Sequence, residues 1–357
     1  MSTGKRLLTK ARRRLDHYQH RMNMATRWLS YELGQTRPRI YPHRMYIEST
    51  NVCNLRCIMC PTGRHEIERR KGYMDFGLFT RIVDEMAPHV EATTLHIWGE
   101  PLLHPRLTDM IAYCREHHLR CEISSNATLL SEDKALGILD AGLDVIYLCL
   151  DGVTKETYEA VRRRANFDET QANVRRFLEL RNRNGLTRPQ VNLQIIQMGK
   201  TIPEVTDFVD TWTVDGVDRI NVKPFDSWAG QVEEINTLQP AGTNGLPPRY
   251  ACPNLWYHVH IYWDGSLAMC DRDFNLAYPL GNVNDGVMKA WRGALLAELR
   301  RRHVRNDLDG VSPCDSCTEW AWWKPAPFHA QGNRPDDTTA LELSAAREKE
   351  RDPGSVP

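Results

Sequence analysis

The run Cys53-Asn54-Leu55-Arg56-Cys57-Ile58-Met59-Cys60 constrains this chain more than any other segment. Three thiols spaced C-x3-C-x2-C bend a short loop around one metal centre. In a four-iron cubane, three thiolates leave one iron without a protein ligand. An open metal position is where chemistry happens, as it is in catalytic zinc sites. The spacing therefore predicts an enzyme rather than a binding module. Structural zinc is the alternative, but it requires a fourth ligand; no further cysteine is close, and His65 is the nearest candidate.

Composition narrows the setting. The chain has 357 residues with 46 Lys+Arg and 46 Asp+Glu, so the charge balance gives no reason to expect a nucleic-acid partner. Residues 1–44 are locally basic, with eleven Lys and Arg against Asp16 and Glu32. No apolar run approaches the ~18 residues of a membrane span, and no apolar signal core opens the sequence. A cytoplasmic protein with reduced thiols is expected, which sets aside a disulfide framework for the ten cysteines.

Residues 5–32 carry apolar positions at helical spacing, with Arg and Lys on the other faces. This predicts a basic helix packed on the body of the protein, with contact to a membrane surface or partner as the alternative. From residue 45 strands alternate with helices. Strand-like runs lie at 45–49, 93–98, 120–125, 144–150, 190–197 and 217–222; helix-like stretches lie near 75–87, 105–118, 131–141, 170–183 and 203–213. Such alternation implies parallel strands with helical crossovers, hence an α/β fold, an open sheet or an incomplete barrel. The cysteine loop follows the first strand, at the end where such folds place their sites. Gly and Pro accumulate over 226–250, which reads as a linker. Beyond it, 258–263 and 266–270 form a hairpin about Asp264-Gly265, and a helix is expected near 287–302. Residues 329–357 are polar and charged and read as a disordered tail.

The cysteine run resembles the radical S-adenosylmethionine (SAM) superfamily, whose members hold a [4Fe–4S] cluster on this spacing. The resemblance implies a partial (βα)6 TIM-type barrel over 45–228, following the basic segment 1–44. It also implies that SAM chelates the open iron and is cleaved reductively to a 5′-deoxyadenosyl radical. Met59 matches the position beside the adenine. Trp98-Gly99-Glu100-Pro101 resembles the family's GGEP motif, with Trp98 in place of its first glycine, so Gly99, Glu100 and Pro101 are implied as SAM contacts. Ser124, Asn126 and Asp151 are implied likewise, from Ser124-Ser125-Asn126 and from Leu150-Asp151-Gly152, where Cys149 stands at a position usually held by serine. Strand alternation puts Tyr147, Cys149 and Asp151 on one face and Leu148 and Leu150 on the other. Cys149 is a candidate catalytic thiol if that face lines the barrel, and an apolar filler otherwise. Arg162, Arg163 and Arg164 read as a solvated basic face or as an anchor for a substrate anion. Lys223, at the end of the sixth strand, has the position of a site residue.

Cys252, Cys270, Cys314 and Cys317 follow at spacings C-x17-C, C-x43-C and C-x2-C. Four thiols could hold zinc. After such a core they resemble the auxiliary [4Fe–4S] cluster of SPASM/twitch extensions, here over 229–328, and in spacing the twitch-type radical dehydrogenases that oxidise aminocyclitol alcohols. Four protein ligands leave a cluster closed, suited to electron transfer. The implied reaction is oxidation of an alcohol of a sugar or aminocyclitol, with the auxiliary cluster as electron acceptor. Three others remain open: epimerisation with Cys149 as hydrogen donor, modification of a peptide, and carbon–carbon coupling on a nucleotide sugar. A small-molecule substrate and a flavodoxin- or ferredoxin-type electron donor are the expected partners.

Overall fold

The computed structural model describes residues 22–240 and 245–326 and the backbone of 340–342. Six strands neighbour one another in sequence order, every adjacent pair parallel: β1 (Arg44–Ile47), β2 (Ala92–Thr94), β3 (Arg120–Ser125), β4 (Val145–Cys149), β5 (Gln190–Ile196) and β6 (Arg219–Lys223). The crossovers carry α1 (Phe76–Met86), α2 (Leu107–Glu116), α3 (Glu132–Ala141), α4 (Lys155–Val161), α5 (Phe167–Arg183) and α6 (Val205–Trp212). This is the expected partial barrel, with α4 an additional helix that the apolar pattern did not mark.

Local chemistry explains the elements. Asp75 caps α1 by accepting the Leu78 N–H at 2.9 Å, and Leu78, Phe79, Ile82, Val83 and Met86 bury one stripe of that helix. Ser131 and Asn166 cap α3 and α5 in the same way. Along β4 and β5, Leu148, Leu193 and Ile195 are buried beneath the helices, whereas Tyr147, Cys149, Asn192 and Gln194 face the lumen. The register sets Ser124, Tyr147, Asn192 and Arg219 on one rung.

The C-terminal part is fused to this sheet. Strand β7 (His258–Ile261) pairs parallel with β1, Tyr46 opposite His260, and then turns through the expected hairpin into antiparallel β8 (Ser266–Ala268), which pairs with β9 (Pro279–Asn282). The helix expected near 287–302 is two, α7 (Val287–Trp291) and α8 (Ala294–Arg305), separated at Arg292-Gly293. Within the expected linker, Glu233–Asn236 is a helical turn and residues 226–232 pack on the barrel mouth. Of the N-terminal helix, the described part, 22–32, is helical and docks Tyr31 edge-on to Trp256; the rest of 1–21 lies outside the described residues. The expected disordered tail departs from expectation at Ala340–Glu342, which adds an antiparallel strand, β10, beside β6; 327–339 and 343–357 lie outside the described residues. Among the described residues no helix is long and apolar enough to cross a membrane.

Candidate active site

The cysteine loop leaves β1 and is fastened at several points. Arg56–Cys57 forms a two-residue antiparallel bridge with Arg162–Arg163. The loop then turns into the short helix Pro61–Arg64, where a Cβ on Gly63 would lie 2.4 Å from the Cys57 carbonyl oxygen, closer than any side chain permits. Thr62 donates to the Trp98 carbonyl at 2.6 Å, and the Trp228 indole N–H donates to the Met59 carbonyl at 2.7 Å. Cys53, Cys57 and Cys60 share one small apolar cluster with Leu55, Ile58 and Met59. Burial pushes the Cys53 thiol up to about 11 and the Cys57 thiol up to about 12. Burial raises any thiol in this way, so it is the shared cluster and the loop geometry, and not the shift, that set these three cysteines together. His65, the conceivable fourth ligand for zinc, is exposed to solvent. Among the described residues no three Cys, His, Asp or Glu side chains already converge on one ion-sized point; a cluster several atoms across asks its thiolates only to ring a shared volume.

The structure sorts the expected SAM contacts. Gly99 is dictated by packing: a Cβ there would sit 2.2 Å from the Thr50 carbonyl oxygen. Glu100 is buried; it accepts from the Leu102 N–H at 3.0 Å, the Ser125 hydroxyl at 2.8 Å and the Asn126 N–H at 2.8 Å. It therefore ties the segment after β2 to the end of β3, and Pro101 begins the turn beside it. The Asn126 amide donates to Asn54 Oδ1 at 3.1 Å, fixing the cysteine loop to β3, while its oxygen accepts from Thr128. The Asp151 carboxylate pairs with Arg162 and accepts the Ile196 N–H at 2.7 Å. Arg162 departs from the solvated reading: it is buried, and its Nη1 lies 3.8 Å from Cys57 Sγ. The strand-end carboxylate was read without the arginine that folds back onto it eleven residues later.

Above the mouth, a cavity of about 300 Å3 is walled on one side by His96, Ser124, Cys149 and Lys223 and on the other by His260, Asp226, Asp271 and Arg272. Cys149 Sγ lies 3.2 Å from Ser124 Oγ, so the alternation argument holds for the cysteine. His96 Nδ1 accepts the Ser124 N–H at 2.9 Å, which leaves the ring proton on Nε2, and burial lowers the His96 pKa to about 4. The neutral imidazole is thus a donor at the mouth. Asp226, Asp271 and Glu319 gather about a single buried guanidinium, Arg272, at 2.7, 2.8 and 3.9 Å. Burial, with repulsion from Glu319 and Asp271, outweighs Arg272 and raises the Asp226 carboxyl to about 7. The sequence reading missed His96, His260, Asp226 and Arg272. The available signals were position alone: His96 lies two residues before Trp98, and Asp271-Arg272 directly follows Cys270.

Cys252, Cys270, Cys314 and Cys317, up to 65 residues apart in sequence, line one small pocket. Burial raises all four thiols. His303 joins them: its Nδ1 accepts the Cys252 N–H at 3.3 Å, so the proton sits on Nε2, which is buried without a partner. Four thiols and an orphaned N–H suit a closed cluster whose sulfur atoms accept hydrogen bonds. Arg272, Glu319 and Asn254 line both this pocket and the mouth cavity.

Comparison with known proteins agrees with this arrangement. Residues 47–194 match the model of the Radical SAM superfamily, and residues 252–318 match that of SPASM, an iron-sulfur cluster-binding domain. A radical SAM domain carries a [4Fe–4S] cluster and SAM, and a SPASM domain carries auxiliary iron–sulfur chemistry. The tungsten-containing aldehyde ferredoxin oxidoreductase cofactor-modifying protein of Pyrococcus furiosus is 25% identical over 209 residues, 57% of each chain. The PqqA peptide cyclase of Gluconobacter oxydans is 29% identical over 121 residues, 34% of this chain and 33% of that protein. The chain thus spans about half or less of the length of these relatives. Streptococcus suis SuiB bound to S-adenosylmethionine superposes with a TM-score of 0.57 at 15% identity, covering 87% of this chain and 75% of that one. Native anSMEcpe with bound AdoMet gives 0.55 at 14% identity, covering 87% and 96%. At such identities the likeness is one of fold.

Proposed function

We propose that this chain, which belongs to the radical SAM superfamily and carries a C-terminal SPASM domain, oxidises an alcohol carbon of a small hydroxylated substrate, a sugar or aminocyclitol. The observation that supports this reading is the shared wall: Arg272, Glu319 and Asn254 border both the mouth cavity and the four-cysteine pocket, so a closed cluster held by those cysteines would stand behind the mouth wall, where it could serve as electron acceptor. Cys53, Cys57 and Cys60 would hold the first cluster and Cys252, Cys270, Cys314 and Cys317 the second. When bound, the first cluster and SAM supply hydrogen-atom abstraction, and the second takes one electron.

The chain's own groups do the rest. Gly99 and Asn126 shape the SAM side of the mouth. The His96 Nε2–H and Lys223 orient the substrate hydroxyl. Asp226, poised near neutral pH, receives the hydroxyl proton as the carbon becomes a ketone. One hydrogen atom, one proton and one electron leave the substrate, which completes a two-electron oxidation. A reductant of flavodoxin or ferredoxin type would serve the first cluster. A second reading, epimerisation, is favoured by Cys149, whose sulfur faces the same cavity.

Anaerobic turnover of carbon-deuterated sugars and aminocyclitols, with dithionite as reductant, tests both. Deuterium in 5′-deoxyadenosine together with a ketone, and about eight irons per chain, is the expected result. Deuterium transfer with an inverted centre, lost in Cys149→Ala, replaces oxidation by epimerisation. Failure to cleave SAM overturns both.

A further inference from the structure

The helix over 22–32 is attached to the body by one side only, where Met24, Arg27, Ser30 and Tyr31 are buried. The Tyr31 hydroxyl donates to the Ala251 carbonyl at 2.7 Å, and just past the helix the Trp256 indole N–H donates to the Gln35 carbonyl at 2.9 Å. The rotation of the helix about its axis is thereby fixed. The side it turns outward is apolar: Met22, Leu29 and Leu33 are 49, 49 and 63% exposed. The Leu33 N–H still bonds the Leu29 carbonyl at 3.0 Å, so the helical course reaches Leu33. Seven- and four-residue steps then set these three side chains within about 40° of one another around the axis. Gly34 extends the patch, because a Cβ there would stand 3.1 Å from Val304 of α8, itself 47% exposed. Single exposed leucines are ordinary; aligned ones on a fixed helix make a contact surface.

The charge around this stripe says what covers it. Upstream in the sequence, Leu8 and Leu15 continue the seven-residue spacing of Met22 and Leu29, and residues 1–21 hold seven Lys and Arg against Asp16. From 22 to 40 the one acid is Glu32. Past the stripe, Arg37 and Arg39 are exposed and make no ion pair among the described residues. Arg27 and Arg44 are buried against Glu91 and Glu122 and add nothing to this balance. The apolar stripe is therefore flanked in sequence by uncompensated positive charge. A second copy of the chain would bring the same charge against it, and repulsion opposes that pairing. A nucleic acid would meet the charges and leave the leucines in water. A surface of anionic lipid uses both.

We propose that this stripe docks the chain peripherally on a membrane that contains anionic lipids. Met22, Leu29 and Leu33 enter the boundary between headgroups and acyl chains, and the Lys and Arg on either side of them in sequence lie against the headgroup phosphates. The outward stripe belongs to the apolar pattern that was expected to pack on the body; the body is held instead by Met24, Arg27 and Tyr31. The proposal does not depend on which reaction the mouth performs.

Co-sedimentation of the full-length, cluster-reconstituted chain with lipid vesicles tests it without turnover. Vesicles of phosphatidylcholine and phosphatidylglycerol at about 7:3 are expected to bind at least about tenfold more tightly than phosphatidylcholine alone, and less tightly as salt is raised. Leu29→Ser combined with Leu33→Ser is expected to weaken that binding at least about tenfold, through the lost apolar anchors. Iron content and melting temperature should not change, because both side chains are exposed. Arg37→Gln combined with Arg39→Gln is expected to weaken it about five- to thirtyfold. No binding to either vesicle, equal binding to both, or unchanged binding in the leucine variant overturns the proposal. A dimer that the leucine variant dissociates, with no vesicle binding, makes the face a contact between two copies instead. Binding to duplex DNA in place of vesicles makes it a nucleic-acid surface.

Discussion

Gly99 shows how a single hydrogen atom in place of a side chain holds the site. The segment that follows β2 passes so close to Thr50 and Val52 that a methyl group at Gly99 would lie 2.2 Å from one carbonyl oxygen and 2.8 Å from the other. Backbone on both sides cannot rotate away as a side chain would. Gly99→Ala is expected to destabilise the fold by about 1–3 kcal/mol and to displace the cysteine loop, lowering SAM affinity; anaerobic denaturation and equilibrium binding measure the two effects. Wild-type values in both would mean the approach is looser than drawn. Asp226 makes a second residue-scale prediction. Its carboxyl is raised from 3.8 to about 7, so the folded state holds a proton that the unfolded chain releases near pH 4. The stability this provides is complete below that value and is lost as pH rises through about 7. Thiolates of a bound cluster nearby push the same way. Asp226→Asn keeps the neutral form at every pH, so its melting temperature relative to wild type should climb between pH 5 and pH 8. A difference that stays flat or falls contradicts the assignment.

At the scale of elements, the sequence was most informative where periodicity and burial coincide. The six barrel strands and five of their crossover helices were legible because parallel strands and their covering helices carry apolar patterns of period 2 and 3.6. The two cysteine sets were legible because thiol spacing is itself chemistry, and the structure gathers the second set although Cys252 and Cys314 are far apart in the chain. What was hidden depends on segments meeting in space. The partner of Asp151 is one example: Arg162 returns to it through the bridge with Arg56–Cys57, a pairing that spacing along the chain does not reveal. The hairpin at Asp264-Gly265 looks the same whether it stands alone or docks, so its parallel pairing with β1 could not be read. Trp98 looks like a defect in a glycine motif. In the fold it packs edge-on to Trp228 and Phe274, and its N–H donates to the Asp271 carbonyl at 3.1 Å, joining β2 to the segment that follows Cys270.

For the whole molecule, the consequence is that barrel and C-terminal region share one sheet and one core. Met45 and Ile47 of β1 lie in the same hydrophobic cluster as Leu255, Trp256, Ile261 and Leu299. Glu48, fully buried just beyond β1, accepts from both ends of the Arg69 fork at 2.9 and 2.7 Å and from the Trp263 N–H at 3.2 Å. The return of the cysteine loop is therefore clamped to the C-terminal hairpin through a carboxylate that has no water to fall back on. Removing residues 251–357 strips β1 of its β7 neighbour, leaves Arg69 and Glu48 without the Trp263 amide, and uncovers the apolar side of β1. An unpaired central strand is a template for association with other chains. A chain ending at residue 250 is thus expected to aggregate and to fail to assemble the three-cysteine cluster, even though every residue of the cysteine loop is present. Size-exclusion chromatography with iron counting on that fragment checks this. A soluble monomer that takes up about four irons would mean the barrel stands alone and that the shared sheet is a contact between two independent units.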